Sequence, residues 1–336
     1  MKRLRDVLKQ EVSFNKQKFN NENNNHKDNT DVEINKYILK QEHKGYMGFS
    51  HWLQGNALFM LLWLIPPSVP FLGTFAAQYL TQIESSYAFL ILNFMVIGGA
   101  VLMPDLDSSP LEEGNSSAVS ELGLLGLAIS TIEITIAHVV WSIFHLKGDK
   151  KPKSGHRLLW HTFLIPISFY FWVIFTFPKS NATMSEILSK NGILNNLSAF
   201  MVMFIIAIAV YIGINVATYR LFQLIDKKRY QSIAGYVGFA IALIMMFTMS
   251  YTQLRLLGLT VALGYAFHIL GDLTTQGGSP ALFPIPFPEN GKLVLWKRSF
   301  LPYHLSVQTG GMVNKILDYV FIAIDIILFY TIFIVK

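Results

Sequence analysis

Two long apolar runs, 197–219 and 316–335, constrain the fold of this chain more than any other feature of its sequence. A helix rises about 1.5 Å per residue, so each run is long enough to cross a hydrocarbon layer of about 30 Å. The composition agrees, because 52% of the 336 residues are hydrophobic and only 14% are charged. These properties predict an all-α fold, a multi-pass transmembrane helical bundle.

Seven segments of the sequence have the length and apolarity of membrane spans. Segment 117–146 is also apolar, but it contains four ionisable residues and separates two polar motifs that would have to share a side. We therefore expect it to lie in the interface or to fold back as a re-entrant helix. The predicted spans are 51–67, 86–103, 158–177, 197–224, 233–250, 254–271 and 315–335.

Residues 1–45 are polar and include an asparagine-rich stretch at 20–25. They contain too few apolar residues to form a core, which predicts a disordered tail ahead of a membrane-embedded domain over 46–336. Lys and Arg accumulate in cytoplasmic loops, and here they cluster in the tail and around 147–153, 227–229 and 292–298. This distribution predicts a multi-pass protein of the inner (cytoplasmic) membrane with a cytoplasmic N-terminus.

The formal net charge of +6 would suit nucleic-acid binding in a soluble protein. Here the basic residues lie in short loops between apolar segments, where they set membrane orientation. We therefore expect the lipid bilayer, and no nucleic acid, as a partner.

The chain has no cysteine, so His, Asp and Glu are its only strong metal ligands. Several of them stand at the ends of apolar segments. A charged group within the bilayer costs about 2.5–3.5 kcal/mol even on the mildest scale, so their accumulation at these ends needs a common explanation. A shared metal site is the explanation we favour.

His268 and Asp272 are four residues apart, which stacks them on one face of a helix near its cytoplasmic end. Asp105 and Asp107 follow Pro104, which interrupts the preceding helix and puts both carboxylates on irregular backbone. Each pair also has an ordinary structural interpretation. His268 could satisfy a carbonyl while Asp272 caps a turn, and the two aspartates could be a polar stop after a membrane helix.

His156 and His161 precede a long apolar helix. We expect His156 in the lead-in turn and His161 in the first helical turn, both pointing into one cavity. Arg157 could hold a phosphate oxygen, although an interfacial arginine can equally anchor to lipid headgroups. His51 begins the first span on the same predicted side, and alone it would be a solvated surface histidine.

Together these motifs resemble the YdjM family of bacterial inner-membrane proteins, which are membrane-bound metal-dependent hydrolases. That family has a His at the first helix, a Leu-Pro-Asp-Ile-Asp block, a His-Arg-Gly-x-Thr-His-Ser block and a Ser-His-x-x-x-Asp block, in this order. The resemblance covers about residues 46–290, although Leu158 and Trp160 replace the usual Gly and Thr. The corresponding motifs here are Ser50-His51, Met103-Pro104-Asp105-Leu106-Asp107, His156-Arg157-Leu158-Leu159-Trp160-His161-Thr162 and Phe267-His268-Ile269-Leu270-Gly271-Asp272.

The resemblance implies a metal-dependent hydrolase with its site at the cytoplasmic face. A distant similarity of the family to zinc-dependent phospholipase C suggests a phosphoester substrate, either a small molecule or a lipid. The ligand set exceeds what one tetrahedral zinc uses and suits two or three divalent ions. An aspartate not shared between ions, Asp105 or Asp107, would act as base, and Arg157 would hold the phosphate. The candidate ligands are His51, Asp105, Asp107, His156, His161, His268 and Asp272.

Two alternatives stay open at this point. A transporter or metal-handling membrane protein could place the same ligands along a pathway, but transport needs access from both faces and hence polar groups along the mid-membrane helices. Asp325, inside the last predicted span, is the main such group. A catalytically inert membrane scaffold is the second alternative.

Overall fold

The structure is a computed structural model, and the part of it described here belongs to one compact unit within Lys44–Lys336. The predicted tail, most of segment 117–146, and the candidate site residues His156 and Arg157 lie outside the described residues. The described residues are 50–70, 72–83, 86–107, nine positions between 131 and 143, 159–224, 228–275, 279–289, 292–294 and 312–334.

The described part of the chain is mostly helical, as predicted. Its strands are β1 (Phe287–Glu289) and β2 (Lys292–Val294), which pair as an antiparallel hairpin. Short 3-10 turns at Leu62–Leu64, Met103–Asp107, Leu159–His161 and Leu194–Asn196 join longer helices. The helices are α1 (50–61), α2 (Leu72–Ile83), α3 (Tyr87–Ala100), α4 (Leu164–Thr176), α5 (Met184–Asn191), α6 (Leu197–Leu224), α7 (Lys228–Thr248), α8 (Tyr251–Asp272) and α9 (Met312–Phe333).

Contacts between neighbouring helices fix their directions. Helices α3, α6 and α8 run toward one end of the bundle, which we call the site end, and α1, α4, α7 and α9 run away from it. Successive long helices therefore alternate in direction along the chain, with the short α2 inserted between α1 and α3. The pairs that show these directions are Trp52–Gly98 and Phe59–Phe94 (α1 with α3), Asn93–Thr260 and Val101–His268 (α3 with α8), Val173–Gly258 and His161–Asp272 (α4 with α8), Thr176–Ser198 (the end of α4 with the start of α6), Tyr211–Tyr236 and Phe200–Phe247 (α6 with α7), and Ser50–Asn314 and Met60–Ile332 (α1 with α9).

Helix α3 lies at the centre of the bundle, packed against α6 and α8. A Cβ atom on Gly99 would overlap the carbonyl oxygen of Ala209, and one on Gly213 would overlap that of Met95. Glycine at these two positions lets the backbones of α3 and α6 touch, as small residues do where helices pack in membranes. The main hydrophobic core forms around this contact and includes the fully buried Val96 and Ile206.

The end of the bundle opposite the site is closed by backbone hydrogen bonds. Ser250 and Gln253 form a capping box at the start of α8, and Thr183 and Glu186 form another at the start of α5. The backbone N–H of Tyr251 donates to Ala182 at 3.0 Å, which holds the start of α8 against the loop before α5. These bonds anchor α8, the helix that carries two of the candidate ligands.

All seven predicted spans contain a helix, but several are shorter than expected. Helix α1 ends at 61, α3 ends at Ala100 and α4 begins at Leu164, so the segment ends that carry the polar motifs are turns and 3-10 helices. Among the described residues, two helices are long and apolar enough to cross a membrane: Leu197–Thr218 within α6, and the whole of α8. A buried core helix of a soluble protein can have the same length and composition, so this is weak support for membrane association.

Candidate metal centre

Four elements meet at the site end: the start of α1, the 3-10 turn after α3, the 3-10 turn before α4 and the end of α8. They bring together five of the seven candidate ligands: His51, Asp105, His161, His268 and Asp272. His161, His268 and Asp272 are completely buried, and Asp105 is the most accessible of the five, with 14% of its side chain exposed.

The imidazole of His268 has a defined orientation. Its Nδ1 lies 2.6 Å from the carbonyl oxygen of Val101. A carbonyl oxygen only accepts, so Nδ1 carries a hydrogen, and in the neutral imidazole Nε2 then holds the lone pair. That Nε2 lies 3.4 Å from Asp272 Oδ2 and 3.6 Å from Asp105 Oδ1, and it makes no hydrogen bond with any side chain or backbone group that the structure describes.

Pro104 explains why the Val101 carbonyl is available. The last carbonyls of a helix have no partner within the helix, and proline has no N–H to offer them. The next donor, the N–H of Asp105, bonds to Leu102 at 3.2 Å. The Val101 carbonyl is then satisfied by His268 from α8, so one backbone interruption both exposes Asp105 and orients His268.

His161 is oriented by a carboxylate. Its Nδ1 lies 2.6 Å from Asp272 Oδ2, and because an ionised carboxylate only accepts, the hydrogen is on Nδ1. The Nε2 atom of His161 lies on the side of Asp105, 3.9 Å from its Oδ1. A histidine that donates one ring hydrogen to a carboxylate and presents the other nitrogen is the usual arrangement of a metal-ligating histidine.

The loop after α8 holds the His161 turn in place. Ser279 Oγ donates to the backbone carbonyl of His161 at 2.6 Å, and the N–H of Phe163 donates to Ala281 at 2.8 Å. His161 therefore lies in a 3-10 turn three residues before α4, and the prediction that it occupies the first turn of the helix was wrong. The difference arises because these tertiary hydrogen bonds use donors and acceptors that a longer α4 would need.

His51 completes the described cluster from α1. Its ring centroid lies 4.3 Å from that of His268, with the planes tilted by 35°. Next to it, Asn314 at the start of α9 donates to Ser50 Oγ at 3.0 Å, which ties α9 to the start of α1. His51 is 7% exposed, so the expectation for an isolated surface histidine, a solvated ring, does not apply to it.

The cluster contains two groups of three ligand residues. Within each group, all the ligand atoms lie within 4.8 Å of one another. Ligands of a tetrahedral zinc, bound at about 2.0–2.1 Å, are separated from each other by about 3.3–3.4 Å. The distances from His268 Nε2 to the two aspartates, 3.4 and 3.6 Å, are close to that value. These buried groups could therefore hold a metal ion. One group is His51, His268 and Asp272, and the other is Asp105, His161 and His268.

The electrostatics of the cluster also favour a cation. A carboxylate buried in an apolar bundle loses its hydration, and that loss is offset only by charged partners or hydrogen bonds. The lone pair of His268 Nε2 faces two carboxylate oxygens, which are acceptors as well. Groups that can only accept stabilise one another when a proton or a metal ion lies between them.

Three predicted site residues are not part of the described arrangement. His156 and Arg157 lie outside the described residues, and of Asp107 only the backbone is described, in the turn Met103–Asp107. Asp325, the main polar group of the last predicted span, is half-buried in α9 and belongs to neither ligand group.

Two further residues contribute to this end of the bundle and were not predicted from the sequence motifs. Gln54 is one turn after His51 on α1, and its amide lies so close to Gly271 that a Cβ there would be 2.7 Å from Gln54 Oε1. The three-residue spacing from His51 was a usable signal, because it places both side chains on one face of a helix. Ser279 could not have been found, since it acts through the backbone of a residue 118 positions away.

No family model, curated protein or solved structure matches this chain. The resemblance to the YdjM family therefore rests on the four sequence motifs alone. The structure adds an observation of another kind: histidines and aspartates from remote parts of the chain meet in a buried cluster that could hold a metal ion.

Proposed function

We propose that this chain is a membrane-bound, metal-dependent hydrolase of the YdjM-like type that cleaves a phosphoester at the cytoplasmic face. The observation that carries the proposal is the convergence of His51, Asp105, His161, His268 and Asp272 at one end of the bundle. The resemblance supplies the reaction class, and the buried cluster supplies groups suited to it.

Zinc is the proposed metal, since nitrogen and oxygen ligands in roughly tetrahedral separation suit it. His268 offers a single lone pair, on Nε2, so it can serve one ion only. The described ligands thus suit one ion held by His268 together with Asp105 and His161, which form one ligand group. The second or third ion expected from the sequence would need Asp107 and His156 as further ligands.

Each protein group then has a distinct proposed role. A bound zinc supplies a water whose pKa is lowered to about 7. Asp105, the most exposed of the cluster, would accept a proton from the attacking water, and Asp272 would keep His161 in the tautomer that presents Nε2. Arg157 would hold a phosphate oxygen through its two-pronged guanidinium.

A seven-span topology fits this role. Helices α1, α3, α4, α6, α7, α8 and α9 alternate in direction, as successive spans of a membrane protein must, and the basic residues Lys228 and Arg229 begin α7 at the site end. The site would then face the cytoplasm, where a lipid headgroup or a small phosphoester could reach it. Because the chain has no cysteine, single-cysteine variants test this topology directly.

In the topology test, Ser185→Cys probes the exposed start of α5 at the far end, and Lys227→Cys probes the link between α6 and α7. A membrane-impermeant maleimide should label Ser185→Cys in intact cells and Lys227→Cys only after permeabilisation. The reverse pattern, or equal labelling of both, contradicts the proposed orientation.

The activity test combines metal content with hydrolysis. The purified protein in detergent is assayed with bis(p-nitrophenyl) phosphate and with a fluorescent phosphatidylglycerol, which separates a general phosphodiester from a lipid substrate. Asp105→Asn and His161→Gln should abolish turnover, whereas Asp325→Asn, outside both ligand groups, should retain it. Unchanged metal content and activity in the first two variants would show that the assignment is wrong.

Transport of a metal ion is the rival that one observation favours. Asp318 and Asp325 are seven residues apart on one face of α9, and both have buried side-chain oxygen atoms. Carboxylates along a membrane helix can line an ion pathway. Uptake of radioactive zinc into proteoliposomes that depends on Asp325 would favour transport over hydrolysis.

A further inference from the structure

A buried polar network links α2, α3 and α8 in the interior of the bundle. The amide of Asn93 donates through Nδ2 to the Phe89 carbonyl at 2.8 Å, which leaves its Oδ1 as an acceptor. Thr260 Oγ1 donates to that oxygen at 2.6 Å, and Tyr79 bonds to the same hydroxyl. The Thr260 hydroxyl also lies 3.0 Å from the Leu256 carbonyl. Because Asn93 Oδ1 and this carbonyl both only accept, Tyr79 is the donor to Thr260. Tyr79, Asn93 and Thr260 are at most 2% exposed.

This network lies in register with the candidate metal centre. Thr260 contacts a residue 167 positions earlier, and His268 likewise contacts a residue 167 positions earlier, Val101. Between them, a Cβ on Gly264 would lie 3.0 Å from the carbonyl oxygen of Ile97, which preserves the same offset. The parallel helices α3 and α8 therefore meet once per turn at matched positions over two turns.

The three contacts differ in what they fix. At Gly264 the two helices come close enough for backbone contact, which sets their separation but allows sliding. The hydrogen bond between Asn93 and Thr260 is directional and buried, so a shift along the helix axis would leave polar groups without partners. The hydrogen bond of His268 to Val101 is also directional and buried, but its acceptor is the C-cap residue, beyond the last helical residue of α3.

We propose that Thr260, held by Asn93 and Tyr79, is a positioning residue that sets the register of α8 on α3 and so aims His268 Nε2 at Asp105 and Asp272. This inference rests on the proposed metal-binding role of His268. Its physical basis is that a slip of one residue along a helix is about 1.5 Å, enough to break a 2.6 Å hydrogen bond to the Val101 carbonyl. The ring of His268 would then be free to rotate.

The test uses three threonine variants of the full-length protein in detergent. Thr260→Val removes the hydroxyl and keeps the branched shape, and Thr260→Ser keeps the hydroxyl. The matched control is Thr252→Val on the same helix, which removes a 3.0 Å hydrogen bond to the Ser180 carbonyl at the far end. We expect Thr260→Val to weaken zinc binding by at least about tenfold, as loss of groups that orient ligands usually does, and the other two to stay close to wild type.

A second readout needs no metal. In metal-free protein labelled with ¹⁵N-histidine, the Nδ1–H signal that disappears in His268→Gln reports the bond to Val101. It should be lost or broadened in Thr260→Val and retained in Thr260→Ser and Thr252→Val. If the wild type binds no zinc, the proposed function fails while this signal still decides the role of Thr260.

Two results would overturn the inference. One is a Thr260→Val protein with unchanged zinc affinity and an unchanged His268 signal, even if its thermal midpoint falls, because that pattern indicates a purely structural role. The other is an equal loss in Thr252→Val. If Thr260→Val does not fold, Tyr79→Phe replaces it: a weaker His268 signal supports the inference and an unchanged one overturns it.

Discussion

Replacing Asp272 with Asn removes one charge from the centre of the cluster with almost no change in volume. Asp272 is completely buried, accepts a 2.6 Å hydrogen bond from His161 and lies 3.4 Å from His268 Nε2. A hydrogen bond to a charged group contributes about 1.5–3 kcal/mol. At about 1.4 kcal/mol per factor of ten, the loss corresponds to a zinc affinity lowered by roughly 10- to 150-fold.

The assay is competition with a chromophoric zinc chelator in detergent, with Asp318→Asn as the matched control. Asp318 is also a buried aspartate, 6% exposed, but it belongs to neither ligand group. We expect the affinity of Asp318→Asn to stay within about threefold of wild type, since it is not a member of the ligand set. If Asp272→Asn bound zinc like the wild type, or if both variants lost affinity equally, the reasoning from the buried cluster would be refuted.

Replacing glycine with alanine should change the stability of the protein at one position and not at another. Gly99→Ala should lower the free energy of unfolding by about 1–3 kcal/mol, because its Cβ would overlap the rigid Ala209 carbonyl. A thermal midpoint equal to that of the wild type would contradict the packing of α3 on α6. Gly271→Ala should leave the free energy of unfolding nearly unchanged, because the three atoms nearest its Cβ belong to the flexible amide of Gln54. A thermal midpoint lowered as far as in Gly99→Ala would contradict this.

The sequence was informative about which segments are helical and where polar groups interrupt them. Apolar runs such as 197–219 predicted helices because burial of apolar side chains needs only length and composition. Asp105 and His268 could be paired in advance because a shared metal explains otherwise costly groups at segment ends. Their convergence at one end is a geometric property that the structure provides.

Other features depend on contacts between remote residues and could not be read from local sequence. Helix α2 was missed, since its twelve residues are too few for a span and it is held in place through Tyr79 and Thr260. The end of α3 at Ala100 and the turn at His161 depend on tertiary hydrogen bonds, which periodicity does not report. The membrane topology and the reaction remain predictions from charge distribution and resemblance.

The central claim is that this cluster binds a divalent metal, and elemental analysis of the detergent-purified protein tests it most directly. The account predicts at least about one equivalent of zinc per chain, consistent with a closed set of nitrogen and oxygen ligands. The same analysis of His268→Ala should show most of that zinc lost. A wild-type stoichiometry near zero after purification with zinc present, or full occupancy in His268→Ala, would contradict the account.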